Sequence, residues 1–110
     1  MTYRLKILPL AERDLQEMYD WISDRSKEGA ERWYAAFHDA AGRLLSNPHG
    51  PATAPEDGLS KHPIRQFLFK TRRGRVYRAV YAVIDDEVRI LRVRGPGQPD
   101  LAADELPSPE

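Results

Sequence analysis

The sequence predicts an α+β fold in which a helical hairpin packs on one face of a small, mainly antiparallel, twisted sheet. Polar and apolar residues alternate at the start of the chain and in three segments of its second half, as is typical of half-buried strands. Between them, two segments carry apolar residues at helical spacing. Two amphipathic helices joined by a short break form an antiparallel hairpin that packs against a sheet, so the expected order is β-α-α-β-β-β.

The first three elements follow from periodicity and from helix-breaking residues. Residues 2–8 predict a strand, and Pro9 ends it because proline lacks the amide that a ladder needs but suits the first turn of a helix. Helical spacing then predicts helices over residues 10–25 and 30–45, and Asn47-Pro48 ends the second. Their apolar positions are Leu15, Met18, Tyr19 and Ile22, and then Ala30, Trp33, Tyr34, Phe37, Ala41, Leu44 and Leu45.

The second half of the chain reads as a loop followed by an antiparallel meander. Residues 48–63 contain four prolines and two glycines and predict an irregular surface loop. Short turns then separate three predicted strands, which favours antiparallel pairing of neighbours. The strands are residues 64–70, 75–84 and 88–94.

Composition and patterning predict one domain over residues 1–95 and a flexible, acidic, proline-rich tail over residues 96–110. The chain has no cysteine, which removes disulfides and thiolate chemistry and fits a reducing compartment. The first residues lack the apolar segment of a signal peptide, and no stretch has the apolar length of a membrane span. We therefore expect a cytoplasmic protein that does not enter a membrane.

The net charge of zero conceals two segregated blocks of charge. Residues 61–78 contain seven basic residues and no acidic one, whereas residues 95–110 contain four acidic residues and no basic one. Because the basic block lies on predicted strands, its charge is concentrated on a fixed surface, which can attract a polyanion or an acidic protein.

Metal and cofactor chemistry are not expected. His38, His49 and His62 lie on three different predicted elements, without the spacing of a metal site. No nucleophile elbow and no glycine-rich loop opening a helix occurs in the sequence. These patterns favour binding or a chemistry carried by basic side chains.

Arg78 is the most informative basic residue, because it lies on a predicted central strand whose two faces both carry apolar residues. A partly buried guanidinium group cannot lose its proton and needs an anionic partner. Two interpretations are open: a salt bridge to Asp14, Glu12 or another helix carboxylate, or a clamp for an external phosphate or carboxylate.

Three segments resemble a known family. Tyr77–Asp85, which reads YRAVYAVID, is similar to the strand-turn signature of RelE/ParE toxins, which reads close to YR-x-x-Y-x-V-I-D. Ala11–Leu15 (AERDL) and Ala30–Trp33 (AERW) resemble the helical hairpin of ParE-like members. With the predicted order of elements, the resemblance covers residues 2–95, and the chain is identified as a RelE/ParE toxin, closer to ParE than to RelE.

The resemblance implies the toxin of a type II toxin-antitoxin system of the plasmid-stabilisation type, which inhibits growth and is neutralised by a cognate antitoxin. ParE-like members act on DNA gyrase, which is the expected target. The alternatives are a RelE-like, metal-independent endoribonuclease that cuts mRNA on the ribosome, or a degenerate toxin that acts only as an antitoxin-binding module.

The resemblance also implies candidate residues. In a nuclease, Arg78 would clamp the scissile phosphate, Lys70 would assist it, and Tyr81 would support them. The sequence departs from the RelE pattern at Leu68, where a second basic residue is expected, and it lacks the C-terminal helix that supplies a tyrosine. The candidates for binding the target or the antitoxin are Arg65, Arg72, Arg73, Arg75, Arg92 and Arg94.

An antitoxin of this family wraps its toxin with a helix and a strand, and a short edge strand beside a basic surface suits an acidic partner. A homodimer and a toxin-antitoxin hetero-oligomer are both compatible with the sequence. A last expectation is autoinhibition, in which residues 98–110 fold back over the basic sheet and their deletion increases activity.

Overall fold

A computed structural model describes residues 2–110 and contains four strands and two α-helices. In chain order these are β1 (Arg4–Ile7), α1 (Pro9–Ser23), α2 (Lys27–Leu44), β2 (Arg65–Phe69), β3 (Tyr77–Ile84) and β4 (Glu87–Arg94). Short 3-10 turns lie at Pro55–Leu59 and Ala103–Glu105. The predicted β-α-α-β-β-β order is confirmed, and the observed elements begin or end within a few residues of the predicted bounds.

The four strands form one sheet in the order β1-β4-β3-β2. β2, β3 and β4 are an antiparallel meander, as predicted, whereas β1 pairs parallel with β4. The parallel pair is possible because a long connection, made of the two helices and the loop after α2, separates β1 from the meander. The register of β3 against β4 shifts between Val80, which pairs with Arg92, and Tyr81, which pairs with Ile90, so Leu91 of β4 is the extra residue of a bulge.

The helical hairpin covers one face of the sheet. Ser26 begins α2 because its hydroxyl accepts a hydrogen bond from the Gly29 amide, and Pro9 occupies the first turn of α1. Trp33 and Phe37 pack on Phe69: the ring centroid of Trp33 lies 5.7 Å from that of Phe69, and the ring centroid of Phe37 lies 5.3 Å from it. The core between helices and sheet also contains Leu15, Ala41, Leu44, Phe67, Ala79, Tyr81, Val88, Ile90 and Val93. Tyr34, expected in this core, is instead exposed on α2.

The opposite face of the sheet, which we call the outer face, carries a second apolar cluster. Val80 and Ala82 of β3 and Leu91 of β4 are fully buried there. The loop after α2 contributes Ala54 and Ile64, and the C-terminal segment contributes Leu101. Two irregular segments cover the centre of this face, because three apolar side chains of the sheet would otherwise contact water.

Residues 96–110 lie across this outer face. Gly95–Gln98 form a turn in which the Gln98 amide donates to the Gly95 carbonyl, and Gly97 adopts a φ of +81° that favours glycine. The chain then runs back over the sheet, and Leu101 is 4 % exposed. In this structure the segment packs against the domain through Leu101. Its flexibility stays a prediction.

Among residues 2–110, neither helix has both the length and the apolar character that crossing a membrane requires.

Candidate functional site

Arg78 lies at the centre of the candidate site, on the outer face of β3. Its two terminal nitrogens donate to the two carboxylate oxygens of Glu56, at 2.9 and 2.6 Å. Gln66 on β2 accepts a third hydrogen bond at 3.1 Å, and Asp100 in the C-terminal segment accepts a fourth at 3.3 Å. Arg78 is therefore paired within the chain, and its partners come from β2, from the loop before β2 and from the tail, and not from α1 or α2.

Glu56 is an unusual partner because its side chain is fully buried. Besides Arg78, its carboxylate accepts a hydrogen bond from the Leu101 amide at 2.8 Å. Burial disfavours the charged form, but the hydrogen bonds from Arg78 and Leu101 and the positive charge of Arg78 outweigh it and lower the pKa of Glu56. The hydrogen bond to Glu56 in turn raises the pKa of Arg78. One ion pair thus joins the sheet, the loop and the tail.

Other arginines of the sheet are also engaged inside the chain. Arg92 makes a two-pronged contact with Asp14 of α1, at 2.8 and 3.0 Å, and this hydrogen-bonded pairing raises the pKa of Arg92. Arg94 donates twice to the Pro99 carbonyl, and Arg65 donates to the Pro51 carbonyl. Asp14, proposed from the sequence as a partner of Arg78, therefore belongs to Arg92 because α1 packs over the end of β4.

Tyr81 lies on the helix side of the sheet, in the core and away from Arg78. Its side chain is fully buried in the core beneath the helices, and its hydroxyl donates to the Pro48 carbonyl at 2.7 Å. Burial raises the pKa of Tyr81 to about 12. Since Arg78 extends to the loop and the tail, the sheet separates the two side chains. The structure does not bring Arg78, Lys70 and Tyr81 together.

The remaining sequence candidates form a separate cluster, which we call the basic turn: Lys70, Arg72, Arg73 and Arg75, between β2 and β3. All four residues are exposed. Within residues 2–110, none of their side chains makes an ion pair. The turn is compact because the Gly74 amide donates to the Thr71 carbonyl at 3.1 Å, and a Cβ at Gly74 would lie only 2.3 Å from the Thr71 hydroxyl oxygen.

A groove of about 500 Å³ runs from the basic turn to α1. Arg75 and Tyr77 line one side, and Met18 and Trp21 of α1 line the other. Trp21 is exposed, and the guanidinium carbon of Arg25 lies 3.6 Å from the centroid of its ring. Asp14 and Glu17 of α1 also line the groove, so it combines apolar side chains with charges of both signs.

Sequence reasoning separated the two faces of β3 correctly but did not find Glu56 as the partner of Arg78. The acidic residue lies in a proline-rich loop that was expected to be an irregular surface segment. A weak signal was present, since Glu56 directly follows Ala54-Pro55, whose apolar character suits a segment that turns inward.

Comparisons with known proteins agree with this architecture. The family model described as the ParE toxin of the type II toxin-antitoxin system, parDE, matches residues 5–98. A chain of the chromosomal ParDE toxin-antitoxin system from P. aeruginosa is similar in structure, with a TM-score of 0.61 and 23 % identity over 84 % of this chain and 95 % of that chain. A chain of the RelBE2 toxin-antitoxin complex from Mycobacterium tuberculosis aligns with a TM-score of 0.44 and 26 % identity, over 86 % of this chain and 98 % of that chain.

No curated protein matches the sequence significantly. The family match nevertheless spans almost all of the helices and the sheet, and the P. aeruginosa chain shares their arrangement. The RelE/ParE resemblance found in three short segments is thereby confirmed over the whole fold. This chain belongs to the ParE toxin family and is the toxin of a type II toxin-antitoxin system.

Proposed function

We propose that the chain inhibits growth by acting on DNA gyrase and that a cognate antitoxin neutralises it. The choice of target rests on one observation: Arg78 is already paired with a carboxylate of the same chain. The Arg78 side chain is 15 % exposed, and its guanidinium group already holds the buried Glu56 carboxylate. A substrate phosphate would have to displace that carboxylate and leave a buried negative charge without its partner, which is costly.

The arrangement of the other candidates supports the same choice. A nuclease of the RelE type needs several acid-base and cationic groups around one phosphate. Here Tyr81 lies in the helix-side core and Lys70 lies beyond the end of β2. A toxin that binds a protein target needs no such assembly, so the gyrase-directed activity of the ParE-like members is the function we propose.

Two assays on the purified chain test the target. In a supercoiling assay with DNA gyrase, we expect inhibition and accumulation of cleaved plasmid. In a ribosome programmed with a defined mRNA, we expect no cleavage. Cleavage of the mRNA with unaffected supercoiling would replace this proposal by the RelE-like function, and failure in both assays together with normal growth on expression would favour a degenerate toxin.

Neutralisation is tested by co-expression with the small protein encoded in the neighbouring reading frame. We expect expression of the chain alone to stop growth and co-expression to restore it, with a stable complex recovered from the cells. A complex of this kind also decides between a homodimeric toxin and a toxin-antitoxin hetero-oligomer, by its mass in solution. We place this encounter in the cytoplasm, where gyrase acts.

A further inference from the structure

The basic turn is held at both ends by the core of the sheet. Phe69, the last residue of β2, is buried, and its ring stacks on that of Tyr77, the first residue of β3, with centroids 5.7 Å apart. Between them the Gly74 amide donates to the Thr71 carbonyl at 3.1 Å. The backbone that carries the four cations is therefore fixed, so less conformational freedom is lost when these cations bind a partner.

The carboxylates beside the basic turn are already engaged by other arginines. Asp14 and Glu17 line the groove next to the turn, but Arg92 donates to Asp14 at 2.8 Å and Arg13 donates to Glu17 at 3.2 Å. Residues 61–78 themselves contain no acidic residue. The positive charge of the turn thus has no counter-charge in the sequence around it and none to spare in the groove beside it.

The acidic C-terminal segment leads away from the basic turn. β4 ends at Arg94, at the same end of the sheet as the turn. The segment then runs towards the opposite end, where the Pro109 carbonyl accepts a hydrogen bond from Arg89 and the Glu110 carboxylate lies 3.2 Å from a ring nitrogen of His62. The free cations and the last carboxylate of the tail therefore lie at opposite ends of the sheet, and the tail does not screen the turn.

We propose that the basic turn binds the phosphate backbone of double-stranded DNA. Three of its four cations are arginines, and a planar guanidinium group can contact two phosphate oxygens at once. A duplex carries a negative charge at every step of its backbone, so four cations within six residues can all find a partner on it. Because the contacts are made to phosphates, binding is independent of the base sequence.

This inference rests on the proposed function for its biological setting. DNA gyrase holds the duplex on which it acts, so a chain bound to gyrase lies close to DNA. When one contact to the enzyme is already made, a second contact to the duplex becomes intramolecular and adds affinity even if it is weak alone. The turn therefore directs the chain to gyrase that is engaged on DNA, in preference to the free enzyme.

The DNA-binding surface is tested first without gyrase. A short labelled duplex of mixed sequence is titrated with the full chain and followed by fluorescence anisotropy. We expect a Kd of about 10⁻⁶ to 10⁻⁴ M at physiological salt. The logarithm of the association constant should fall with the logarithm of the salt concentration with a slope of about −3 to −4, as expected for three or four phosphate contacts.

Paired substitutions locate the contact. Arg72→Ala/Arg73→Ala removes two cations of the turn and should weaken binding about tenfold or more and reduce the slope by about two. The control Arg32→Ala/Arg43→Ala changes the net charge equally at exposed positions of α2 and should bind like the unmodified chain. Arg72→Lys/Arg73→Lys keeps the charge and should keep the slope. Circular dichroism checks that each variant is folded.

A second measurement brings in the enzyme. Binding of the labelled chain to gyrase is compared with and without plasmid DNA. We expect the plasmid to strengthen binding about tenfold for the unmodified chain and for the α2 control. For Arg72→Ala/Arg73→Ala the plasmid should have little effect, although binding to the free enzyme is retained.

Several results would overturn the proposal. They are no binding of the duplex at low salt, equal weakening in both double alanine variants, and tighter binding of a single strand or of a polyglutamate peptide of equal charge. If Arg72→Ala/Arg73→Ala inhibits supercoiling and binds the gyrase–DNA complex like the unmodified chain, the inference is wrong and the proposed function stands. If the duplex binds as expected but supercoiling is unaffected, the DNA-binding surface stands and gyrase is the wrong target.

Discussion

The Arg78 guanidinium group holds both oxygens of the buried Glu56 carboxylate, and the Leu101 amide donates to the same carboxylate. A side chain of β3, a loop residue and the C-terminal segment therefore meet at one buried negative charge. Because each group depends on the others for its partner, changes at this point should affect the stability of the fold more than changes at the exposed cations.

Removal of Arg78 tests this dependence. The variant Arg78→Ala leaves the Glu56 carboxylate buried without its counter-ion, and we expect a loss of about 3–5 kcal/mol in the free energy of unfolding. Arg72→Ala, at an exposed position without an ion pair, should change it by about 0.5 kcal/mol or less. Urea unfolding followed by circular dichroism measures both, and equal stabilities would mean that the pair does not support the fold.

The ionisation of Glu56 predicts a dependence of stability on pH. Its pKa in the folded protein lies below the ordinary glutamate value of 4.5. A carboxyl group with a lowered folded-state pKa stabilises the fold above its unfolded-state pKa, and this contribution is lost as the pH falls through the folded-state value.

The variant Glu56→Gln isolates this effect because it cannot ionise. At neutral pH the unmodified chain should be more stable than the variant, and the difference should shrink steadily as the pH falls below 4.5. Urea unfolding at a series of acidic pH values measures the difference, and a constant difference across the series would contradict the assignment.

The raised pKa of Tyr81 predicts that stability also depends on pH in the alkaline range, in the direction opposite to the effect of Glu56. Its pKa of about 12 lies above the ordinary value of 10.0, so the folded state keeps the proton that the unfolded state loses. The contribution of Tyr81 to the free energy of unfolding is complete below pH 10 and is lost as the pH rises through the pKa of Tyr81 in the folded state. Stability of the unmodified chain should therefore fall between these pH values more steeply than that of Tyr81→Phe.

The same variant tests the structural role of the Tyr81 hydroxyl. At neutral pH, Tyr81→Phe leaves the Pro48 carbonyl without its donor, and we expect a loss of about 1–2 kcal/mol. Tyr34→Phe, at an exposed position, is the control and should be near neutral. We expect Tyr81→Phe to inhibit growth as the unmodified chain does, whereas loss of toxicity in a folded variant would restore Tyr81 as a functional residue.

Leu101 anchors the C-terminal segment in the outer-face cluster. Leu101→Ala should cost about 2–5 kcal/mol of stability if the segment unfolds with the domain, and Leu59→Ala, at an exposed position, should cost little. Limited proteolysis distinguishes unfolding of the whole domain from release of the C-terminal segment alone. If only the segment is released, cleavage after residue 97 becomes faster while the strands stay protected.

The segment also carries the expectation of autoinhibition. Leu101→Asp should release residues 98–110 from the sheet because a carboxylate is unfavourable in the apolar cluster. We expect stronger growth inhibition than that of the unmodified chain at matched protein levels. Unchanged or weaker inhibition by a variant whose released tail is verified by proteolysis would exclude an inhibitory role.

The sequence by itself determined the order of the elements, the two faces of β3 and the family. Strand and helix periodicities arise from local geometry, so the alternation around Arg78 correctly put Ala79 and Tyr81 on one face of β3 and Val80 and Ala82 on the other. Which face the helices cover was seen only in the structure. The parallel pairing of β1 with β4 was not predicted, because strand order depends on contacts between distant parts of the chain.

Only the tertiary structure decided which charges are free. Glu56, Asp14 and Asp100 are far in sequence from the arginines that they hold, and nothing in the local pattern of a loop or a tail shows which carboxylate will be buried beside which guanidinium group. Folding therefore paired Arg78 and Arg92 of the sheet with carboxylates and left the cations of the basic turn without an ion pair among the residues described. The physical reason is desolvation: a charge that folding buries must find a counter-charge or hydrogen-bonding groups within the chain, whereas one left in water stays available to a partner.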